Sequence, residues 1–212
     1  MNDSKTFDID FTEAKAIPHE LEQTEPIPPG QSNRLHKIWG FNAQSFGDKA
    51  SGPAALGTLL YFHEIGWSHL PKHQNGRPVN DPYLAEIIKW SASPDLISGS
   101  LGSSPALMLN SLRKASLIAN WYAGNTPART LELVKHEMDQ QRPVIALINQ
   151  KLQGHPLLLE WQVIFKMDET CVYTKHGAVE DGTHATPIEA FIEMISMEHP
   201  QLACSVITAR KE

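Results

Sequence analysis

The chain has 212 residues, 41% of them hydrophobic and 20% charged, and a formal net charge of −6 at pH 7. That length suits one sizeable domain, and an acidic balance argues against nucleic acid as the main partner. No apolar run is long enough to span a bilayer, and the first residues, Met1 to Thr6, lack the basic region and apolar core of a signal peptide. The two cysteines, Cys171 and Cys204, make neither a disulfide framework nor a zinc set, and among the ten histidines only His69 and His73 have the His-x3-His spacing, across a proline that a helical metal pair would not carry. No cofactor or metal is expected, and a reducing cytoplasm is the default compartment.

Residues 1–35 read as an N-terminal arm or linker, and residues 36–212 as the folded domain. The stretch from Ile17 to Gly30 is acidic and Pro-rich, with no helical or strand period. Phe7, Ile9 and Phe11 alternate with Asp8 and Asp10, as in a short edge strand that would make the arm a strap. Within the domain, five Ser/Thr/Asp steps before proline are expected to open five helices: Ser51-Gly52-Pro53, Asp81-Pro82, Ser104-Pro105, Thr126-Pro127 and Thr186-Pro187. Each pairs a capping oxygen with a residue preset for the first helical position. The connection from Gly66 to Asn80 reads as a surface loop. Short apolar runs then predict strands over 142–148, 157–167 and 171–174, with a closing strand over 202–208. Helices first, then an antiparallel sheet with one late helix, is an α+β pattern.

The stretch Ser51-Gly52-Pro53-Ala54-Ala55-Leu56 carries the chemistry. A side chain just before such a helix sits at the positive end of its dipole, which favours an anion and lowers the pKa of a thiol. Taken alone, Ser-Gly-Pro is equally an ordinary helix cap.

Together with Gly102-Ser103-Ser104-Pro105, Arg142-Pro143-Val144-Ile145, Leu159-Glu160-Trp161-Gln162-Val163-Ile164, Val172-Tyr173 and Pro187-Ile188-Glu189-Ala190-Phe191, this stretch resembles the papain-like double-glycine-leader (bacteriocin-processing) peptidases and their stand-alone relatives. The match runs from about Gln44 to Val206. The resemblance implies a papain-like fold, an N-terminal helical part packed on an antiparallel sheet with a groove between them. It also implies a thiolate nucleophile, a histidine base, an Asp or Asn that orients the histidine, and an oxyanion-stabilising Gln. Carried onto this chain, the Gln falls on Gln44, the nucleophile on Ser51, the histidine on Glu160, and the orienting residue near Lys175 or His176. The three catalytic positions thus depart from the family pattern.

A serine hydroxyl needs a strong adjacent base, and a carboxylate is a weak one toward it. Strand phase puts Glu160 on the face of Gln162, and Trp161 on the face of Leu159 and Val163. His155, in Gln153-Gly154-His155-Pro156, and His184, in Gly182-Thr183-His184, read as loop residues, with His155 a further candidate base. The leading expectation is a degenerate or repurposed peptidase homologue that binds a peptide-like or acyl-chain ligand in the helix/sheet groove. A second is an enzyme, a hydrolase, acyltransferase or acid/base catalyst, using Ser51 with Glu160 and a histidine in a shared pocket. A third is that Ser51 replaces a native cysteine by engineering, which Glu160 weakens, since a trapped peptidase would keep its histidine.

Overall fold

The computed structural model describes residues 11–21, 34–42, 44–46, 50–91, 103–149, 159–175, 182–197 and 200–212. Among them are five α-helices, α1 (Ser51–Phe62), α2 (Asn80–Ser91), α3 (Pro105–Lys114), α4 (Pro127–Asp139) and α5 (Ile188–Ile195). Seven strands, β1 (Ala14–Lys15), β2 (Ile118–Tyr122), β3 (Val144–Asn149), β4 (Leu159–Met167), β5 (Cys171–Lys175), β6 (Thr183–Pro187) and β7 (Val206–Arg210), form one sheet in the order β1-β2-β7-β3-β4-β5-β6. Its pairs are antiparallel except β1 with β2, which is parallel. The architecture is the expected α+β one, with the early helices packed on the sheet: α1 lies against β4, and α3 against β2, β7 and α1. The later helices also pack on it, α4 against β4 and α5 against β3, β5 and β6. The central strand β3 is buried at Val144, Ile145, Ala146, Leu147 and Ile148, so it is covered on both faces, as a continuous apolar run demands.

Two helices begin as the sequence predicts. Ser104 accepts the Leu107 N–H at 3.2 Å, and Thr126 accepts the Arg129 N–H at 3.3 Å, each with proline in the first turn. The other three differ. α1 starts at Ser51 itself, with Ala50 as the flanking residue and no side-chain cap. Pro53 still lies in the first turn, where main-chain N–H groups have no intrahelical partner. α2 starts at Asn80, one residue before the expected cap Asp81. Asn80 accepts the Asn42 N–H at 2.9 Å and donates to the Asn42 carbonyl at 3.1 Å, so its amide ties two segments together. Thr186 sits in β6, and α5 follows Pro187 without a side-chain cap. His184 is therefore on a strand, not in a loop.

The closing strand also shifts. Leu202, Ala203 and Cys204 form a turn, with Cys204 at φ 55° and its N–H bonded to the Ile195 carbonyl at 2.8 Å. Residues 11–21 run along the β2 edge. Phe11 packs on Trp121 with ring centroids 5.7 Å apart, Ile17 is buried with its N–H bonded to Asn125 Oδ1, and Arg129 donates to the carbonyls of Pro18 and His19. Phe7 and Ile9 lie outside the described residues.

At the C-terminal end of α1, burial of His63 disfavours its charged form and lowers its pKa from 6.5 to about 4, against a hydrogen bond to the Ala209 main chain that works the other way. Its Nε2 is buried without a partner. The folded state therefore resists a proton that the unfolded chain takes up below 6.5, and stability falls as pH drops from 6.5 toward 4. Urea unfolding at pH 7 and pH 5 will show that loss in the parent chain, and His63→Phe will flatten it.

Candidate functional site

The site is a junction between the start of α1, the start of α3 and the strand β4. Its upstream wall is fixed by side chains. Thr58 donates to the Ala54 carbonyl at 2.9 Å and accepts the Phe41 N–H at 3.2 Å, while Asn80 holds Asn42. This fixes the segment entering the 3-10 turn Gln44–Phe46, whose first residue is Gln44; only the main chain of Gln44 is described.

Ser51 opens α1 and is buried, 5% exposed. Its Oγ accepts the main-chain N–H of Trp161 at 3.2 Å, so the helix end is docked directly on β4. Trp161 turns its ring toward the helices: the indole Nε1 donates to the Ser103 carbonyl at 2.8 Å. Gly52 lies between them. A Cβ built on Gly52 would stand 2.2 Å from Ser103 Oγ and 2.4 Å from Ser103 Cβ, so the backbones approach as closely as only glycine allows. Ser103 Oγ is itself buried without a hydrogen-bond partner.

Glu160 stands one residue before Trp161 on β4 and is 9% exposed. Thr174 Oγ1 donates to Gln162 Oε1 at 2.7 Å, and Gln162 Nε2 donates to Glu160 Oε2 at 3.2 Å. These bonds place Glu160, Gln162 and Thr174 on one face of the sheet, opposite the face of Trp161. Lys175, opposite Val163 on the Trp161 face, is buried; its Nζ donates to Thr183 Oγ1 at 2.9 Å and lies over the Phe165 ring. His176 and His155 lie outside the described residues.

Both cysteines lie away from the helix start. Cys171 opens β5, and Cys204 is buried before β7, where desolvation pushes its thiol pKa up. Among the described residues, no group of His, Cys, Asp and Glu could hold a metal, and no helix is long and apolar enough to cross a membrane.

A cavity of about 830 Å³ lies at the other end of α1, lined by Arg34, Trp39, Tyr61, Phe62, Trp67 and Tyr83 among others. Neither Ser51 nor Glu160 lines it. The sequence reading passed over this feature. The signal available was seven aromatics from position 39 to position 83, five of which line the cavity, but their convergence depends on tertiary packing, such as the stacking of Phe41 on Tyr83 at 4.6 Å.

No protein-family model and no curated protein matches the chain. Solved structures do. One is a double glycine motif protease from an AMS/PCAT transporter, in complex with the leader peptide: 16% identity, covering 82% of this chain and 92% of that one, TM-score 0.51. A second is the peptidase domain of Streptococcus ComA, a bifunctional ABC transporter involved in quorum sensing: 10% identity, coverage 82% and 99%, TM-score 0.55. A third is a C39-like peptidase from Bacillus anthracis: 13% identity, coverage 84% and 96%, TM-score 0.55.

The junction generates a packing prediction. Gly52→Ala forces a methyl into Ser103 and will destabilise the chain by about 1–3 kcal/mol, read from the urea midpoint. Gly52→Ala with Ser103→Gly will be less destabilised than Gly52→Ala alone. The chain has the papain-like fold of the double-glycine peptidase domains.

Proposed function

We propose that this chain is a repurposed papain-like domain that binds a peptide-like ligand and lacks cysteine-peptidase chemistry. One observation carries the reading. The residue at the head of α1, the place the resemblance gives to the thiolate, is a buried serine whose Oγ accepts the Trp161 N–H. The β4 residue just before Trp161, which the resemblance makes the histidine, is Glu160, engaged by Gln162. A similar fold is known in complex with a leader peptide, which supports a peptide over an acyl chain as the ligand. The aromatic cavity at the far end of α1 offers a surface, and its volume of about 830 Å³ is within the range of ligand sites. Two cysteines suit a reducing cytoplasm, and similar folds from Streptococcus and Bacillus anthracis support a bacterial setting.

A second reading keeps catalysis, with Ser51 as nucleophile, Glu160 as proton carrier and His176 or His155 behind it, and Gln44 at the oxyanion. The buried Thr174–Gln162–Glu160 chain favours it, because such a chain fixes a carboxylate in one orientation.

A synthetic leader peptide ending in Gly-Gly separates the readings. The chain will bind it and leave it intact, with or without reductant. Ser51→Ala and Glu160→Gln will each keep affinity within about a factor of 2, less than half a kcal/mol. Cleavage abolished by Ser51→Ala establishes the second reading. Cleavage abolished by iodoacetamide overturns both.

A further inference from the structure

Among the described residues the sheet ends on β1 and β6, and its two ends are built differently. β1 is two residues long and finishes on Lys15, and both shortness and lysine blunt an edge. β6 spans the five residues Thr183–Pro187, which include no Lys, Arg, Asp or Glu. Thr183, His184, Ala185 and Pro187 are exposed.

The ladder shows which main-chain groups of β6 face outward. Cys171 pairs with Pro187 and Lys175 with Thr183. One step beyond, the Ile188 N–H donates to the Thr170 carbonyl at 3.0 Å. Antiparallel pairs alternate between bonded and non-bonded. Val172–Thr186 and Thr174–His184 are therefore the bonded pairs, and Thr183 and Ala185 turn their N–H and C=O away from β5. The contact of Lys175 Nζ with Thr183 Oγ1 at 2.9 Å agrees, since side chains are closer in non-bonded pairs.

The ground beside this edge is acidic and pocketed. A cavity of about 330 Å³ is bounded by His184, Thr186 and Pro187 of β6 and by Ala190, Glu193 and Met194 of α5. Glu189 and Glu193, four residues apart, share one stripe of α5 and are both exposed, and α5 contains no Lys or Arg.

We propose that the β6 edge is a docking site for an extended basic segment of another polypeptide, which adds a strand to the sheet. The main chain of the segment pairs with Thr183 and Ala185. An apolar side chain fills the cavity against Ala190 and Met194, and a Lys or Arg of the segment faces Glu193 and Glu189. Main-chain pairing supplies affinity and alternate side chains supply selectivity. Charge chooses this occupant over a second copy of the chain: two copies meeting at β6 would bring their acidic stripes together.

The test uses the full chain and a labelled decapeptide built on the repeat Val-Thr-Lys-Thr, which sets Val and Lys in turn on one face of the strand. Binding will be seen by fluorescence anisotropy, and hydrogen exchange at the Thr183 and Ala185 amides will slow in the complex. The Val/Glu counterpart will not bind. Methylating alternate amide nitrogens along the peptide edge that meets β6 will abolish binding. Glu189→Lys with Glu193→Lys, both on the surface, will weaken it by about tenfold or more. Binding without protection of Thr183 and Ala185, or unchanged by the double charge reversal, overturns the proposal as unspecific attraction to an acidic protein. A concentration-dependent dimer that protects the same two amides overturns it in favour of a second copy. Absence of binding at millimolar peptide also overturns it.

Discussion

The contact of α1 with β4 sets the rest of the structure. A helix that meets a strand end-on leaves four main-chain N–H groups without intrahelical partners, and the strand brings its own polar backbone. Here the helix offers a side-chain acceptor to the strand: Ser51 Oγ takes the Trp161 N–H. Trp161 then closes the junction from the other side by bonding the Ser103 carbonyl, which sets the start of α3 beside the start of α1. Gly52 makes the approach possible, because a methyl group there would overlap Ser103. Two helix starts and one strand are thus locked by two hydrogen bonds and one missing side chain. Each such bond contributes about 1 kcal/mol net, but leaving a buried partner unmade costs about 1–3 kcal/mol, so the junction resists piecemeal change.

Sequence pattern and structure agree where local chemistry decides and part where tertiary contacts decide. The apolar runs that become β3, β4 and β5 are buried on the sheet, and a run of that kind has no other stable place. Ser104 and Thr126 cap their helices because nothing else competes for their oxygens. Ser51 and Asn80 carry the same signal and use it elsewhere, one on β4 and the other on the main chain of Asn42. Leu202-Ala203-Cys204 is apolar because it is at least partly buried, not because it is extended: the left-handed φ of Cys204 ends any strand there. β6 shows no apolar alternation at all, since Thr183, His184 and Ala185 face water at a sheet edge. Similarly, β2 hides its inward positions behind Ala119 and Trp121 with Asn120 between them, a pattern too short to stand out.

The residues singled out from the sequence divide along the same line. Ser51 and Trp161 meet at one junction because the motifs that carry them open a helix and a strand, whereas Glu160, next to Trp161 in sequence, lies on the other face of β4 with Gln162. The network behind Glu160 follows from strand phase for Gln162, but Thr174 joins only through the β4–β5 pairing of Ile164 with Thr174. The aromatic cavity at the other end of α1 was illegible for a stronger reason. Its walls come from the segment before α1, from α1 itself, from the following loop and from α2, and no periodicity links those four pieces.

What serine does at the head of α1 follows from magnitudes. A helix start stabilises a negative charge by about 2 kcal/mol at most, equivalent to about 1.5 pKa units. For a thiol with a pKa near 8.5 that is about enough to bring it to neutrality, and a neighbouring imidazole completes the ionisation. An alcohol starts so much higher that the same field leaves it protonated. Ser51 is therefore a neutral hydroxyl, able to accept the Trp161 N–H and to donate its own proton, and it becomes a nucleophile only with a base of imidazole strength in line. The β4 residue at hand is Glu160, and its orientation is set by Gln162 and, through it, Thr174. Each of the two is thus held by its own partner, Ser51 by the Trp161 N–H and Glu160 by Gln162. Without a thiolate, the positive end of α1 has no anion to stabilise at Ser51, and the hydroxyl there serves the fold, accepting the Trp161 N–H that docks the helix on β4.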